Sequence, residues 1–113
     1  IGVIPWSPLA RGKLTRPLSE QTHRAETDQF GKTLYNEPSD KATVEHVQQV
    51  AQSRAVPMAQ VALAWMLAKP HITAPIIGAT KPHHLEDAVA ALSLKLSPEE
   101  VTTLEEAYQP HPV

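Results

Sequence analysis

Two segments of this chain, Ile1 to Trp6 and Thr73 to Ile77, are the candidates for β-strands, and both are apolar without alternation. A strand with polar residues on neither face has to be covered on both, which is the pattern of a parallel sheet carrying helices above and below. The intervening and following sequence supplies those helices. Val44, Val47, Val50 and Ala51 recur at helical spacing and predict a helix over Asp40 to Arg54, with Ser39 or Asp40 as N-cap. A second helix is predicted from Pro57 to Lys69, with Val61, Ala62, Trp65 and Met66 on its apolar face and Pro70 forbidding continuation. Thr80 is positioned to cap a third helix that has Pro82 in its first turn and Leu85, Ala88, Val89 and Leu92 on one face. Ser97-Pro98-Glu99-Glu100 is a capping box with proline at the first helical position, predicting a fourth helix to about Tyr108.

The order is therefore strand, loop, helices, strand, helix, helix, an alternating pattern that calls for a parallel α/β sheet. Two strands cannot make such a sheet alone. A whole α/β barrel needs roughly 250 residues, against the 113 present. The chain opens on the apolar run Ile1-Gly2-Val3-Ile4, as expected if it were cut inside a buried strand. From Ser7 to Ser39 no apolar period is sustained, and a loop of that length inside a compact domain is usually functional.

Several function classes are disfavoured by composition. Cysteine is absent, which removes disulfides, thiolate zinc sites and a cysteine nucleophile, and suits a cytoplasmic protein. Ten Lys and Arg against twelve Asp and Glu form no basic stripe, so a nucleic-acid partner is not expected. The longest apolar run, inside Met58 to Ala68, is interrupted by Gln60 and too short to span a bilayer, so no membrane association is expected either.

The four glycines, Gly2, Gly12, Gly31 and Gly78, are too scattered for a three-glycine dinucleotide fingerprint or a P-loop. Two other segments look built for an anion. Trp6-Ser7-Pro8-Leu9-Ala10-Arg11-Gly12 follows the first strand candidate, and Gly78-Ala79-Thr80-Lys81-Pro82 leads from the second into a helix N-terminus. Backbone N–H groups, hydroxyls and cationic side chains gather at both. Helix capping alone would explain the second; the pair is more informative than either.

Trp6-Ser7-Pro8-Leu9-Ala10, then Ala59-Gln60-Val61-Ala62-Leu63-Ala64-Trp65, then Pro75-Ile76-Ile77-Gly78-Ala79-Thr80 with Leu85-Glu86-Asp87, closely resemble the aldo-keto reductase family over essentially the whole chain. The resemblance implies the C-terminal part of a (β/α)8 TIM barrel, incomplete on its own, with the first strand candidate as barrel strand seven and the second as strand eight. It also implies NADPH as cofactor and a small-molecule carbonyl compound as substrate. In that reading the aromatic position at Trp6 lies against the nicotinamide ring, and Ser7, Pro8, Leu9 and Ala10 border the pyrophosphate. Arg24 resembles a loop arginine that folds over the cofactor. Gly78, Thr80, His84 and Asp87 surround the adenosine 2′-phosphate and the adenine. The chain departs from the family pattern in having His84 where many members have arginine or glutamine, and Ala88 where many have asparagine. Near the family's phosphate-binding lysine it offers Lys13 and Arg16, but Pro17 at the position itself.

The family's catalytic tyrosine, lysine, aspartate and histidine come from the earlier half of the barrel, and none is carried onto this sequence. Tyr35 and Tyr108 lie in no matching motif. His83 and His84, being adjacent, are expected on different sides of their helix, and His84 with Asp87 lacks the further ligands a metal would need. The function implied is NADPH-dependent reduction of aldehydes and ketones by the intact protein, with residues 1–113 supplying cofactor-binding segments. The alternative is a non-catalytic remnant, or a regulatory nucleotide-binding subunit like the potassium-channel β subunits of the same fold.

Overall fold

The computed structural model describes residues 1–19 and 38–110. Among them lie four α-helices, α1 (Pro38–Arg54), α2 (Met58–Leu67), α3 (Pro82–Ala91) and α4 (Pro98–Glu105), and a single 3-10 turn at Ala10–Gly12. The core sits where α1 packs on both α2 and α4; α3 packs on the other side of α2.

Helix α1 buries Val44, Val47, Val50 and Ala51, the face expected from their spacing. It begins at Pro38, so Ser39 and Asp40 are inside the first turn rather than capping it; proline's fixed φ suits that turn and needs no N–H partner there. Pro57 likewise is the N-cap of α2 and not its first residue, because its extended ψ of 147° precedes the helical angles. Val61, Ala62, Leu63 and Ala64 are all buried, as befits a helix packed on two sides, while Trp65 and Met66 are half-buried at its end.

The capping box forms as expected. Ser97 Oγ accepts from the Glu100 N–H at 3.2 Å and the Ser97 N–H donates to Glu100 Oε1 at 2.8 Å. The same carboxylate receives a fork from Arg54 at the end of α1, Nε to Oε2 and Nη2 to Oε1, both at 2.7 Å. Arg54 Nη2 also donates to the Lys95 carbonyl. One glutamate thus closes the N-terminus of α4 and fastens it to α1, with the cation at the end of α1 where the helix dipole favours it.

The Arg54 guanidinium and the Ser97 N–H hold the Glu100 carboxyl down at about 2, below its ordinary value of 4.5. Because the folded value is the depressed one, the stabilisation is present above pH 4.5 and is lost as pH falls through about 2. Thermal melts from neutral pH down through this window should show a falling midpoint, and Glu100→Gln should flatten that fall. An unchanged acid slope in Glu100→Gln would refute the assignment.

The strand candidates depart from expectation. Among the described residues no strand ladder forms; Trp6 and Ile76 make one isolated parallel bridge. The pairing around it is parallel in direction, with the Thr73 N–H on the Val3 carbonyl at 2.8 Å and the Ile76 N–H on the Pro5 carbonyl at 2.9 Å. Pro5 and Pro75 carry no N–H, and the Val3 N–H is taken by Thr73 Oγ1 at 2.9 Å, so donors for a continuous ladder are missing. Nor are these segments buried, since Ile1, Val3, Ile4, Trp6, Ile76 and Ile77 are all exposed. The expected inner face of α3 is also open. Leu85, Val89 and Leu92 are all exposed, and Ala91 is the residue it buries.

Candidate functional site

The bridge between Trp6 and Ile76 is parallel, so the residues that follow each of them leave the pair at the same end. That end carries the turn from Ser7 to Gly12 and the approach from Ile77 to α3. Both anion-binding candidates read from the sequence therefore share one edge of the molecule.

The first of them is an unusually coiled turn. Ser7, Ala10 and Arg11 have φ of 52°, 51° and 54°, and Gly12 has 95°. Left-handed backbone in residues with a Cβ costs of order 1 kcal/mol each and is concentrated at binding and switch segments. Internal hydrogen bonds hold it: Ala10 N–H to the Ser7 carbonyl at 3.0 Å, Gly12 N–H to the Leu9 carbonyl at 3.0 Å, and Leu14 N–H to the same carbonyl at 3.2 Å. Ser7 Oγ accepts from the Arg11 N–H at 3.2 Å. A Cβ on Gly12 would lie 2.5 Å from Arg16 Nη1, which itself donates to the Gly12 carbonyl at 2.8 Å. Arg16 is thereby committed to shaping the turn. Pro8, Leu9 and Ala10 are half-buried along it, and Trp6 is 63% exposed.

The second segment ends in α3, whose N-cap is Lys81 with extended angles and no side-chain cap bond. The expectation that Thr80 caps α3 is corrected here. Pro82 occupies the first helical position, which moves the cap one residue along, and Thr80 turns to His84 instead. The Thr80 N–H donates to His84 Nδ1 at 3.3 Å, with Thr80 Oγ1 3.5 Å from the same nitrogen. With Nδ1 accepting, the neutral ring carries its proton on Nε2. His83 and His84 do not diverge as expected either, because their rings meet edge to face with centroids 4.5 Å apart. Lys81 is exposed, and space beside Gly78 is open, a Cβ there meeting nothing within 4 Å.

Asp87 stands three residues after His84, on the same face of α3. Its Oδ1 accepts from Gln60 Nε2 of α2 at 3.1 Å. The sequence did not single out Gln60; the available signal was a lone amide in the otherwise apolar run of α2. Arg24 lies outside the described residues.

One further concavity, about 650 Å³, is lined by Pro8, Leu14, Val47, Ala62, Trp65 and Leu104 among others. Two charged groups of its lining, Lys69 and Glu105, are paired with each other. Trp65 Nε1 donates to Glu105 Oε1 at 2.9 Å, Lys69 Nζ bonds the same oxygen, and that ammonium lies 4.8 Å from the Trp65 ring centroid. Lys69 and Trp65 together hold the Glu105 carboxyl below its ordinary value. With these groups spent on each other, the concavity is weak in the convergent free polar groups that orient a ligand.

The model of the aldo/keto reductase family matches residues 1–109. The chain belongs to that family. It is 42% identical to versiconal hemiacetal acetate reductase of Aspergillus parasiticus, over 97% of this chain and 33% of that protein. It is also 42% identical to an aldo-keto reductase of Fusarium vanettenii, over 100% of this chain and 31% of that protein. Aldo-keto reductase AMT2 of Alternaria alternata is 35% identical over 99% of this chain and 30% of its own length. The chain thus spans about a third of the length of the curated relatives it matches. Aldo/keto reductases are oxidoreductases that act on small carbonyl compounds with NAD(P)H. Among the described residues, no helix is long and apolar enough to cross a membrane.

Proposed function

We propose that this chain provides the dinucleotide-holding end of an NADPH-dependent aldo/keto reductase that reduces aldehydes or ketones. Ile1–Trp6 and Thr73–Ile77 would be barrel strands seven and eight, completed by neighbours on either side. The observation that carries this reading is the parallel Trp6–Ile76 bridge, which brings the Ser7–Gly12 turn and the start of α3 to one edge. Barrel active sites lie on the face where strands end.

Each residue then has a task set by its chemistry. The Trp6 ring supplies a flat apolar face for the nicotinamide. Ser7, Pro8, Leu9 and Ala10 shape the turn against the pyrophosphate, and Arg24 closes over it. Gly78 leaves room for backbone approach, Thr80 and His84 offer donors to the 2′-phosphate, and Asp87 accepts from the adenine. The N-terminus of α3 adds a favourable field for the dianion. When bound, NADPH supplies the hydride; the residues of this chain bind and orient it.

This reading is tested with the intact protein by following NADPH oxidation against a panel of aromatic and aliphatic aldehydes and ketones. Turnover is expected, and Trp6→Ala should lower kcat/KM by roughly tenfold or more through loss of nicotinamide orientation. Tight dinucleotide binding without oxidation by any carbonyl compound would sink the enzymatic reading in favour of a regulatory nucleotide-binding subunit.

A further inference from the structure

Helix α2 runs Met-Ala-Gln-Val-Ala-Leu-Ala-Trp-Met-Leu, and Gln60 is its one aliphatic polar side chain. Placing an amide in such a helix gives up rotamer freedom and hydration, so the contact it makes needs a reason. That contact is the bond from Gln60 Nε2 to Asp87 Oδ1 at 3.1 Å, made between half-buried groups across the α2–α3 packing. Among the described residues it is the side-chain hydrogen bond Asp87 makes, and no salt bridge is formed by that carboxylate.

We infer that Gln60 is a positioning residue for adenine recognition: it fixes Asp87 so that the second carboxylate oxygen faces the exocyclic amine of the cofactor's adenine. The inference rests on the dinucleotide reading given above. An ionised carboxylate only accepts hydrogen bonds, and each oxygen can be directed by a donor held on the other. With Oδ1 bound to an amide from a neighbouring helix, rotation about the Asp87 side chain is restricted and Oδ2 presents one direction to the ligand. His84, one turn earlier on the same face, has its ring nitrogen turned back to Thr80 and does not compete for Asp87. The geometry selects for a donor on the base. Adenine offers an amine at that position; hypoxanthine offers a carbonyl oxygen, which a carboxylate repels.

A simple tie between α2 and α3 would give the same bond, so the test has to read base discrimination rather than stability. Dissociation constants of NADPH and of nicotinamide hypoxanthine dinucleotide phosphate are measured by calorimetry on the intact protein. The variants are Gln60→Met, which keeps the volume of the side chain, and Gln60→Asn, which is polar but too short to reach. The ratio of the two constants does not depend on the fraction of protein folded, so a destabilised variant still reports. The wild type should favour NADPH by about tenfold or more, as one charge-assisted hydrogen bond implies. Both Gln60 variants should compress that ratio to within about threefold, and Gln60→Met should add nothing to Asp87→Asn. A Gln60→Met protein that keeps the wild-type ratio overturns the positioning role while leaving the dinucleotide site intact. Wild type that binds neither dinucleotide overturns the site itself, and the positioning role falls with it.

Discussion

Val61→Asp is expected to abolish the cooperative unfolding transition of the intact protein built around this chain. Val61 is 0% exposed and stands at the junction of α1, α2 and α4, packed with Val44, Val47, Val50 and Leu104. Among the described residues every fully buried residue of this core is apolar, so none of them can pair with a carboxylate. Burying an unpaired charge, or protonating it to avoid the charge, costs of order 4 kcal/mol or more. A domain has only about 5 to 15 kcal/mol of stability in all. Gln52→Ser is the matched control, because Gln52 is exposed on α1 and its loss should fall within about 0.5 kcal/mol. Leu104→Ala should lie between, at about 2 to 5 kcal/mol. Circular dichroism melts of the three variants decide the matter. A Val61→Asp protein that melts like the wild type would show that the helical core is not what holds the chain together.

The helices were legible because their signals are local. Val44, Val47, Val50 and Ala51 mark a face by spacing alone, and Ser97 with Glu100 satisfies two orphan N–H groups within a single turn. Errors at helix starts came from proline, whose tolerance for the first turn fits either side of the boundary at Pro38 and Pro57. At Thr80 the sequence offered a good capping side chain, but Pro82 set the boundary one residue later and freed Thr80 for His84.

What was not legible is non-local. The apolar character of Ile1–Trp6 and Thr73–Ile77 pointed to a parallel sheet, and the two segments meet in one parallel bridge, yet a ladder also depends on donors that Pro5 and Pro75 lack and on neighbours outside the pair. The same reasoning placed Leu85, Val89 and Leu92 inward, since periodicity identifies an apolar face without saying what covers it. Gln60 meets Asp87 through the packing of α2 on α3, and Arg54 meets Glu100 through that of α1 on α4. The left-handed backbone at Ser7, Ala10 and Arg11 had no glycine to announce it. For the candidate site, the motif positions fall on one edge of the molecule, and the contacts among them emerged only from the packing.

An intact protein built around this chain is expected to bind NADPH at least about tenfold more tightly than NADH. The two differ by the 2′-phosphate, a near-dianion at neutral pH that gains from cations and from the positive end of a helix. Helix α3 begins at Pro82 directly after Lys81, and Lys81 is exposed with no side-chain cap bond to keep it. His84, with Nδ1 accepting from Thr80, presents an Nε2–H donor on the same first turn. Each charge-assisted contact to phosphate is worth about 1.5 to 3 kcal/mol, so one alone separates the cofactors by roughly tenfold. Since Thr80 does not cap α3, Thr80→Ala and Lys81→Ala should leave the melting temperature nearly unchanged, which separates a ligand role from a structural one. Titrating both dinucleotides against the wild type and a Lys81→Ala, Arg24→Ala double variant reads the effect directly. Loss of affinity confined to NADPH supports the assignment of this edge to the 2′-phosphate. Equal affinity of the wild type for NADPH and NADH would overturn it, because no arrangement of these groups around a bound 2′-phosphate is indifferent to its removal.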